Sequence, residues 1–132
     1  MYDTALFELQ TAIYERLSTD TALSALVTGV FDAVPEDQPY PYVVIGEPSV
    51  LPFESKNTFG EQIDLVIHAW SEYAGKKEAY DMLSACQKAL AYRLNVTGFR
   101  IEKVERKGIN VFDDIDPRLR HGVLRMRFFI NN

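Results

Sequence analysis

The sequence predicts an α+β fold in which an antiparallel or mixed β-sheet packs one face against helices. The first observation is periodicity: apolar residues recur every three or four positions in some segments and alternate in others, as in amphipathic helices and half-buried strands. The second is order, since the predicted elements run ααβββαββ rather than in the regular alternation of a parallel doubly wound sheet. The third is length, because 132 residues suffice for one domain with a single core. Residues 1–132 are therefore predicted to form a single domain.

Two helices are predicted to open the chain. The first runs from Thr4 to Leu17, with Asp3 or Thr4 as its N-cap, because such side chains accept hydrogen bonds from free backbone N–H groups. Its apolar stripe consists of Leu6, Leu9, Ile13 and Leu17. A short second helix follows another capping segment at 18–20, and Gly29 is expected just past its end. Its apolar residues are Leu23, Leu26 and Val27.

The middle of the chain changes to strand-like patterns. Residues 30–34 and 42–47 are predicted strands. The segment 35–41 between them contains three prolines, which fix φ and remove backbone donors, so it is expected to be irregular. The polar, proline-punctuated segment 48–60 is interpreted as a long loop or loose hairpin. The strand predicted at 61–70 has the clearest alternation.

A third helix and three further strands complete the prediction. Residues 75–78 lead into the helix, which runs to about Leu94. Two short strands cover 99–106 and 109–112, and a loop at 113–120 precedes a last strand at 122–130. The apolar stripe of the helix consists of Ala79, Met82, Leu83, Cys86 and Leu90. The residues of the last strand that are predicted to face the core are Leu124, Met126, Phe128 and Ile130.

The composition is that of a globular chain, with 47% hydrophobic and 25% charged residues. No apolar run approaches the ~20 residues of a membrane helix, and the first residues lack the features of a signal peptide. The net charge of −5 argues against nucleic-acid binding as the main role, because backbone recognition needs a positive footprint. Residues 1–60 hold nine acidic and two basic residues, whereas 61–132 hold ten and twelve. This polarity is either incidental or presents different faces to different partners.

No enzyme motif is recognisable, so we expect no catalytic site and no cofactor. The Gly-Lys-Lys run at 75–77 lacks the remaining residues of a P-loop, and the segment 46–49 lacks the spacing of a nucleophile elbow. His68 and His121 are the only histidines, and neither has a partner at zinc-ligand spacing. Cys86 is the only cysteine, and its place on a helical stripe favours a buried, unreactive thiol.

Two weaker features of the sequence could indicate ligand binding. The acidic cluster of Asp113, Asp114 and Asp116 could attract a metal ion, but no glycine or distal glutamate completes a calcium loop. A solvated loop is therefore favoured, and no metal site is predicted. Four aromatic residues could stack on single-stranded nucleic acid, although their places at a strand end and on a helix fit packing better. These are Trp70, Tyr73, Tyr80 and Tyr92.

Four arginines near the C terminus are candidates for an interface, where arginine is enriched. They are Arg118, Arg120, Arg125 and Arg127. The last two alternate with core residues, so they project from the opposite sheet face and are either solvated or part of an interface. Acidic residues of the N-terminal half offer a complementary surface, namely Asp32, Glu36, Asp37 and Glu47. Contacts between such unlike patches can close copies of a chain into a ring.

Three stretches together resemble the tail-completion family of long-tailed phages, also known as tail terminators or tail-to-head joining proteins. The first combines Val-Phe-Asp-Ala-Val-Pro at 30–35 with Pro-Tyr-Pro-Tyr-Val-Val-Ile-Gly at 39–46. The second is His-Ala-Trp-Ser at 68–71, followed by Gly-Lys-Lys-Glu-Ala at 75–79. The third is Arg-His-Gly-Val-Leu-Arg-Met-Arg-Phe at 120–128. The resemblance covers nearly the whole chain, and relatives occur in prophages and gene-transfer-agent particles.

The resemblance implies a non-enzymatic α+β protein that assembles as a hexameric ring. Such a ring caps the finished tail tube and docks it to head-completion or connector proteins, at the neck of a virion or phage-like particle assembled in the host cytoplasm. DNA would pass through its lumen without specific binding. No cofactor, metal or membrane is implied.

Two other functions stay open from the sequence alone. The first is a head-completion or minor tail protein of the same neck region, and the second is a stand-alone enzyme or ligand-binding domain. If the chain does dock in a particle, its loops at 52–60 and 113–120 are expected to become ordered there. Both are polar, flank strands and lack apolar anchors.

Overall fold

Eight elements make up the described part of the computed structural model, which comprises residues 3–52, 60–91 and 93–131. Their order, ααβββαββ, is the predicted one when the two short strands predicted after the third helix are counted as one. The helices are α1 (Leu6–Thr19), α2 (Thr21–Ser24) and α3 (Lys77–Ala91). The strands are β1 (Val30–Phe31), β2 (Tyr42–Pro52), β3 (Gly60–Ser71), β4 (Arg100–Asp113) and β5 (Arg120–Asn131). No helix in this part of the chain is long and apolar enough to span a membrane.

The strands form one mixed sheet in the order β1-β2-β3-β5-β4. β1 pairs with β2 in parallel, whereas the other neighbouring strands pair antiparallel. The central pair, β3 and β5, keeps an uninterrupted register from Gly60 opposite Asn131 to Ser71 opposite Arg120. This arrangement confirms the predicted fold class and leaves β1 and β4 as the two edges of the sheet.

The apolar core lies between the helices and one face of the sheet. Alternate residues of β3 and β5 supply the sheet side of the core, as predicted. They are Ile63, Leu65, Ile67, Ala69, Leu124, Met126, Phe128 and Ile130. The helices contribute the predicted stripes, including Leu9, Ile13, Leu17, Met82, Leu83, Cys86 and Leu90. Each such large apolar side chain contributes about 1.5–3 kcal/mol on burial, so this contact between layers fixes which sheet face is covered.

The start of α1 differs from the prediction that Asp3 or Thr4 caps it. The residue at the N-cap position is Ala5, and its side chain makes no capping hydrogen bond. Glu61, at the start of β3, supplies the missing acceptor instead: its Oε1 accepts from the Ala5 N–H at 2.7 Å and from the Thr4 hydroxyl at 3.1 Å. A carboxylate is stabilised at this position because the helix N terminus carries a partial positive charge.

The second helix begins as predicted but ends early. The Asp20 carboxylate accepts from the Leu23 N–H at 2.9 Å, which confirms a cap within 18–20. The helix ends at Ser24, so the prediction that Gly29 terminates it is wrong. Gly29 has another role, because a Cβ at this position would lie only 2.6 Å from the Phe31 ring.

Two strands are longer than the sequence indicated. β2 continues to Pro52, so the predicted loop from 48 onward is wrong as far as that residue, and a register shift between Gly46 and Ser49 accommodates Pro48. Residues 53–59 lie outside the described part. β4 is one strand where two were predicted, because a second register shift, between Arg106 and Gly108, keeps both halves paired with β5.

Candidate interaction surfaces

The side of the sheet away from the helices, here termed the outer face, presents polar and aromatic residues. Its central positions come from alternate residues of β3 and β5: Asp64, Val66, His68, Trp70, His121, Val123, Arg125, Arg127 and Phe129. Most of these side chains are partly buried by their neighbours rather than fully exposed. Arg125 and Arg127 both project from this face, as predicted, but their surroundings differ.

Arg127 is paired within its own chain. Its Nε donates to Asp64 Oδ1 at 2.7 Å and its Nη2 donates to Asp64 Oδ2 at 3.1 Å. This two-point contact lowers the pKa of the Asp64 carboxyl, mainly through the hydrogen bonds from Arg127. Arg125, by contrast, is exposed and makes no hydrogen bond or ion pair with the described residues. Of these two arginines, only Arg125 keeps its donors free for another molecule.

The loop 113–120 uses its two arginines internally. Arg120 donates to three backbone carbonyls, those of Pro117 (3.0 Å), Leu119 (3.2 Å) and Ala74 (2.6 Å), and approaches Asp113 at 3.3 Å. It therefore ties the loop to the segment that precedes α3.

Arg118 of the same loop pairs with Asp116 at 2.7 Å, and its hydrogen bonds lower the pKa of Asp116 to about 2. Two of the three clustered aspartates, Asp113 and Asp116, thus face arginines. Within the described residues, no group of three or more His, Cys, Asp or Glu side chains could hold a metal ion.

The acidic candidates also divide into two sets. Asp32, Glu36 and Asp37 lie in the segment that links β1 to β2, at one edge of the sheet. All three are exposed, and none forms an ion pair in the described part of the chain. Glu47 lies within β2, and its two oxygens are 3.1 and 3.2 Å from Nε2 of His68.

A histidine pair on the outer face is the feature that sequence reasoning missed. His68 Nδ1 lies 2.7 Å from His121 Nε2, with Glu47 on the other side of His68. The His121 ring stacks on Trp70 with centroids 3.9 Å apart, and Phe112 contacts it edge-on. The two histidines are 53 residues apart in sequence, and only the β3–β5 register brings them together. The His121 ring therefore covers one face of Trp70 within the protein itself.

The surroundings of the pair disfavour protonation of His121. Burial and the neighbouring His68 lower the pKa of His121 below its usual 6.5. A hydrogen bond between two imidazoles needs one N–H donor and one free ring nitrogen, so two doubly protonated rings cannot form it. His68 in turn lowers the pKa of the Glu47 carboxyl, chiefly by their hydrogen bond.

Comparison with known proteins gives a consistent set of matches. The family model for the tail completion protein gp17 matches residues 11–131. The tail completion protein gp17 of Bacillus phage SPP1 is 38% identical over 125 residues, which cover 94% of this chain and 92% of that protein.

Solved structures agree with this relationship. A chain from the virion of a native gene transfer agent particle superposes with a TM-score of 0.91 at 27% identity, over 99% of this chain and 100% of that one. The structure of bacteriophage SPP1 gp17 superposes with a TM-score of 0.68 at 37% identity, over 99% and 94% of the two chains.

The fold and these matches define a structural protein of phage and gene-transfer-agent particles. The chain belongs to the tail completion protein gp17 family. The resemblance found in the sequence is thereby confirmed, and the chain is a tail completion protein.

Proposed function

We propose that the chain is the ring subunit that caps the finished tail tube and joins the tail to the head-completion complex. Six copies would surround a lumen at the particle neck, with the tail tube protein on one side and connector proteins on the other. The observation that carries this proposal is the match to the tail completion family over residues 11–131. The superposition on a chain from a gene-transfer-agent virion, with a TM-score of 0.91, supports it.

The distribution of loops suits a protein with a different partner at each end. The segments 32–41 and 113–120 adjoin Tyr42 and Arg120, which lie at the end of the sheet where β3 finishes. Pro52 and Gly60, where β2 ends and β3 begins, lie at the opposite end of the same strands. A ring in which the strands run between its two sides would present one set of loops to the tube and the other to the head.

Passage of DNA without specific binding fits the charge of the chain. At −5 per copy, the ring as a whole repels phosphates rather than attracting them. A lumen that strongly attracts phosphates would retain the DNA during transit, so an acidic ring lets DNA pass more readily than a basic one.

Deletion of the gene in its particle-producing host tests the proposal. We expect filled heads and separate, over-long tails by electron microscopy, with joining restored when the wild-type chain is supplied in trans. Heads that lose their DNA while tails stay normal would instead indicate a head-completion role, and a partial defect at the tail tip would indicate a minor tail protein. Normal particles from the deletion strain would refute the proposed function.

A further inference from the structure

β4 is an open edge of unusual length. It comprises 14 residues without proline, it pairs with β5 on one side, and it is last in the strand order. Its other side therefore carries backbone donors and acceptors that no described strand satisfies. Proteins usually shorten, cover or interrupt such edges because they template contacts with other chains.

Apolar side chains on β4 are left uncovered by the helix layer. Val104 and Ile109 stand opposite the core residues Phe128 and Leu124 in the strand register. They nevertheless remain 39% and 45% exposed. The core reaches β4 through Ile101 and Val111, which pack against it, but leaves Val104 and Ile109 between them half covered.

Exposed basic groups lie near these apolar side chains, on both faces of the sheet. Arg106 and Lys107 are exposed and make no ion pair with the described residues. Arg106 shares the core-facing side of β4 with Val104 and Ile109, since it stands opposite Met126, whereas Arg125 lies on the outer face opposite Gly108. Lys107 and Arg125 line the same shallow cleft, and Arg106, Lys107 and Ile109 line the next one. We term Val104, Arg106, Lys107, Ile109 and Arg125 the basic edge.

The opposite edge of the sheet has the complementary character. β1 is only two residues long, and the chain beyond it carries the unpaired acids Asp32, Glu36 and Asp37. Val34, between them in sequence, is 36% exposed. We term residues 32–37 the acidic edge. Three exposed acids close to an exposed apolar residue thus lie at one edge of the sheet, and three exposed bases close to two such residues lie at the other.

We propose that the basic edge of one copy packs against the acidic edge of the next copy in the ring. The inference rests on the proposed function and names the subunit contact that it requires. Unlike patches on opposite sides of one molecule make a head-to-tail contact, which closes into a ring when the rotation between copies is suitable. A second copy is the occupant that the structure favours, because each copy supplies both complementary charges.

This contact changes which arginines matter for assembly. Arg118, Arg120 and Arg127 stay with their own carboxylates and carbonyls, and Glu47 stays with His68. Arg125 is the candidate from the sequence that takes part, together with Arg106 and Lys107. The contact leaves the loop 113–120, at one end of the sheet, and the opposite end, where Pro52 and Gly60 lie, free for the tube and the head.

A charge swap provides the test. One variant carries Arg106→Glu, Lys107→Glu and Arg125→Glu, another carries Asp32→Lys, Glu36→Lys and Asp37→Lys, and a third carries all six changes. Each is supplied in trans to the deletion host.

We expect at least a tenfold loss of joined particles for each single-edge variant. The six-fold variant, whose net charge returns to −5, should recover most of that loss. Normal joining by either single-edge variant, or no recovery in the combined one, would overturn the contact. Glu15→Lys on the exposed side of α1 is the control for charge reversal elsewhere.

Cysteine cross-linking keeps the contact testable if a reversed variant fails to fold. Val34→Cys and Ile109→Cys are combined in a Cys86→Ala background, since the native thiol is buried. Oxidation of particles should give a ladder of linked subunits, whereas each single cysteine should give monomers. A monomer band from the double-cysteine particles would contradict the contact while leaving the tail-joining function intact. Because this readout does not depend on joining, failure of the function and failure of the contact are distinguishable.

Discussion

Arg125 and Arg127 show how a single register position separates two residues that look equivalent in sequence. Alternation predicts correctly that both leave the core face of β5. Asp64 stands opposite Arg127 in the β3–β5 register, and the two form a two-point ion pair. Gly108 on the edge strand stands opposite Arg125, which has no such partner. Sequence periodicity gives the direction of a side chain, but the partner depends on a register that only the folded sheet defines.

The first prediction concerns Phe128, which is fully buried in the centre of the core. Phe128→Ala should lower the free energy of unfolding by about 3–5 kcal/mol, because it removes apolar contacts and leaves a cavity. Chemical denaturation of the purified chain measures the change. Phe129→Ala is the matched control, since its neighbouring side chain lies on the outer face and is only partly buried. An equal or larger loss in the control would contradict the register of β5.

The second prediction concerns pH and His121. The pKa of this imidazole is lowered in the folded chain, first by burial and then by His68, against weaker opposing effects of Asp114 and Glu47. Below pH 6.5 the unfolded chain therefore binds a proton that the folded chain resists. The free energy of unfolding should be highest above this pH and should fall as the pH decreases through it.

Replacement of His121 isolates this contribution. His121→Phe cannot be protonated and keeps an aromatic ring beside Trp70, so stability should depend less steeply on pH between about 7 and 5. Urea titrations at several pH values provide the comparison. The lowered pKa of Glu47 stabilises the folded chain in a separate pH range. This contribution to stability is present above pH 4.5 and is lost as the pH falls below it. Parallel curves for the variant and the wild type would show that His121 does not titrate differently on folding.

At the scale of elements, the periodic patterns predicted every helix and strand of the described chain but not all of their ends. The cap of α1 was missed because its acceptor, Glu61, is 56 residues away from Ala5. β4 was divided because Gly108 interrupts the alternation, although a register shift carries the strand across it. Pro48 predicts a loop because prolines seldom occur in strands, yet it lies within β2, where the pairing with β3 is irregular. Such ends depend on contacts that no local pattern contains.

The third prediction concerns the Glu61 cap. Glu61→Ala should lower the free energy of unfolding by about 1.5–3 kcal/mol, because it leaves the buried Ala5 N–H without its charged acceptor. Hydrogen exchange should also become faster at the first turn of α1. Glu61→Gln keeps an acceptor oxygen without the charge, so it should lose less stability than the alanine variant. Unchanged stability of Glu61→Ala would show that solvent replaces the carboxylate.

At the scale of the whole molecule, the faces, the edges and the ends of the sheet carry different features. The helices cover one face, the two edges carry opposite unpaired charges, and the loops lie at the two ends of the strands. The sequence revealed the charge polarity between its halves but assigned the positive side to the outer-face arginines. The proposed ring contact uses the β4 edge instead, since β4 lies outside β5 in the sheet although it precedes β5 in the chain.

The last prediction concerns the loop 113–120, which we expect to dock on a neighbouring protein of the particle. Internal hydrogen bonds hold its base, from Asp114 N–H to the Leu119 carbonyl and from Leu119 N–H to the Asp116 carbonyl. Its tip leaves Ile115 fully exposed. Docking should bury this side chain and slow hydrogen exchange at residues 114–118, whereas the paired amides of central β3 should exchange equally slowly in both states. Mass spectrometry of the free chain and of purified particles measures both sets.

Ile115→Ser should leave the thermal unfolding of the free chain unchanged and reduce tail joining. Equal exchange of the loop in both samples, together with normal joining by Ile115→Ser, would place the docking surface elsewhere.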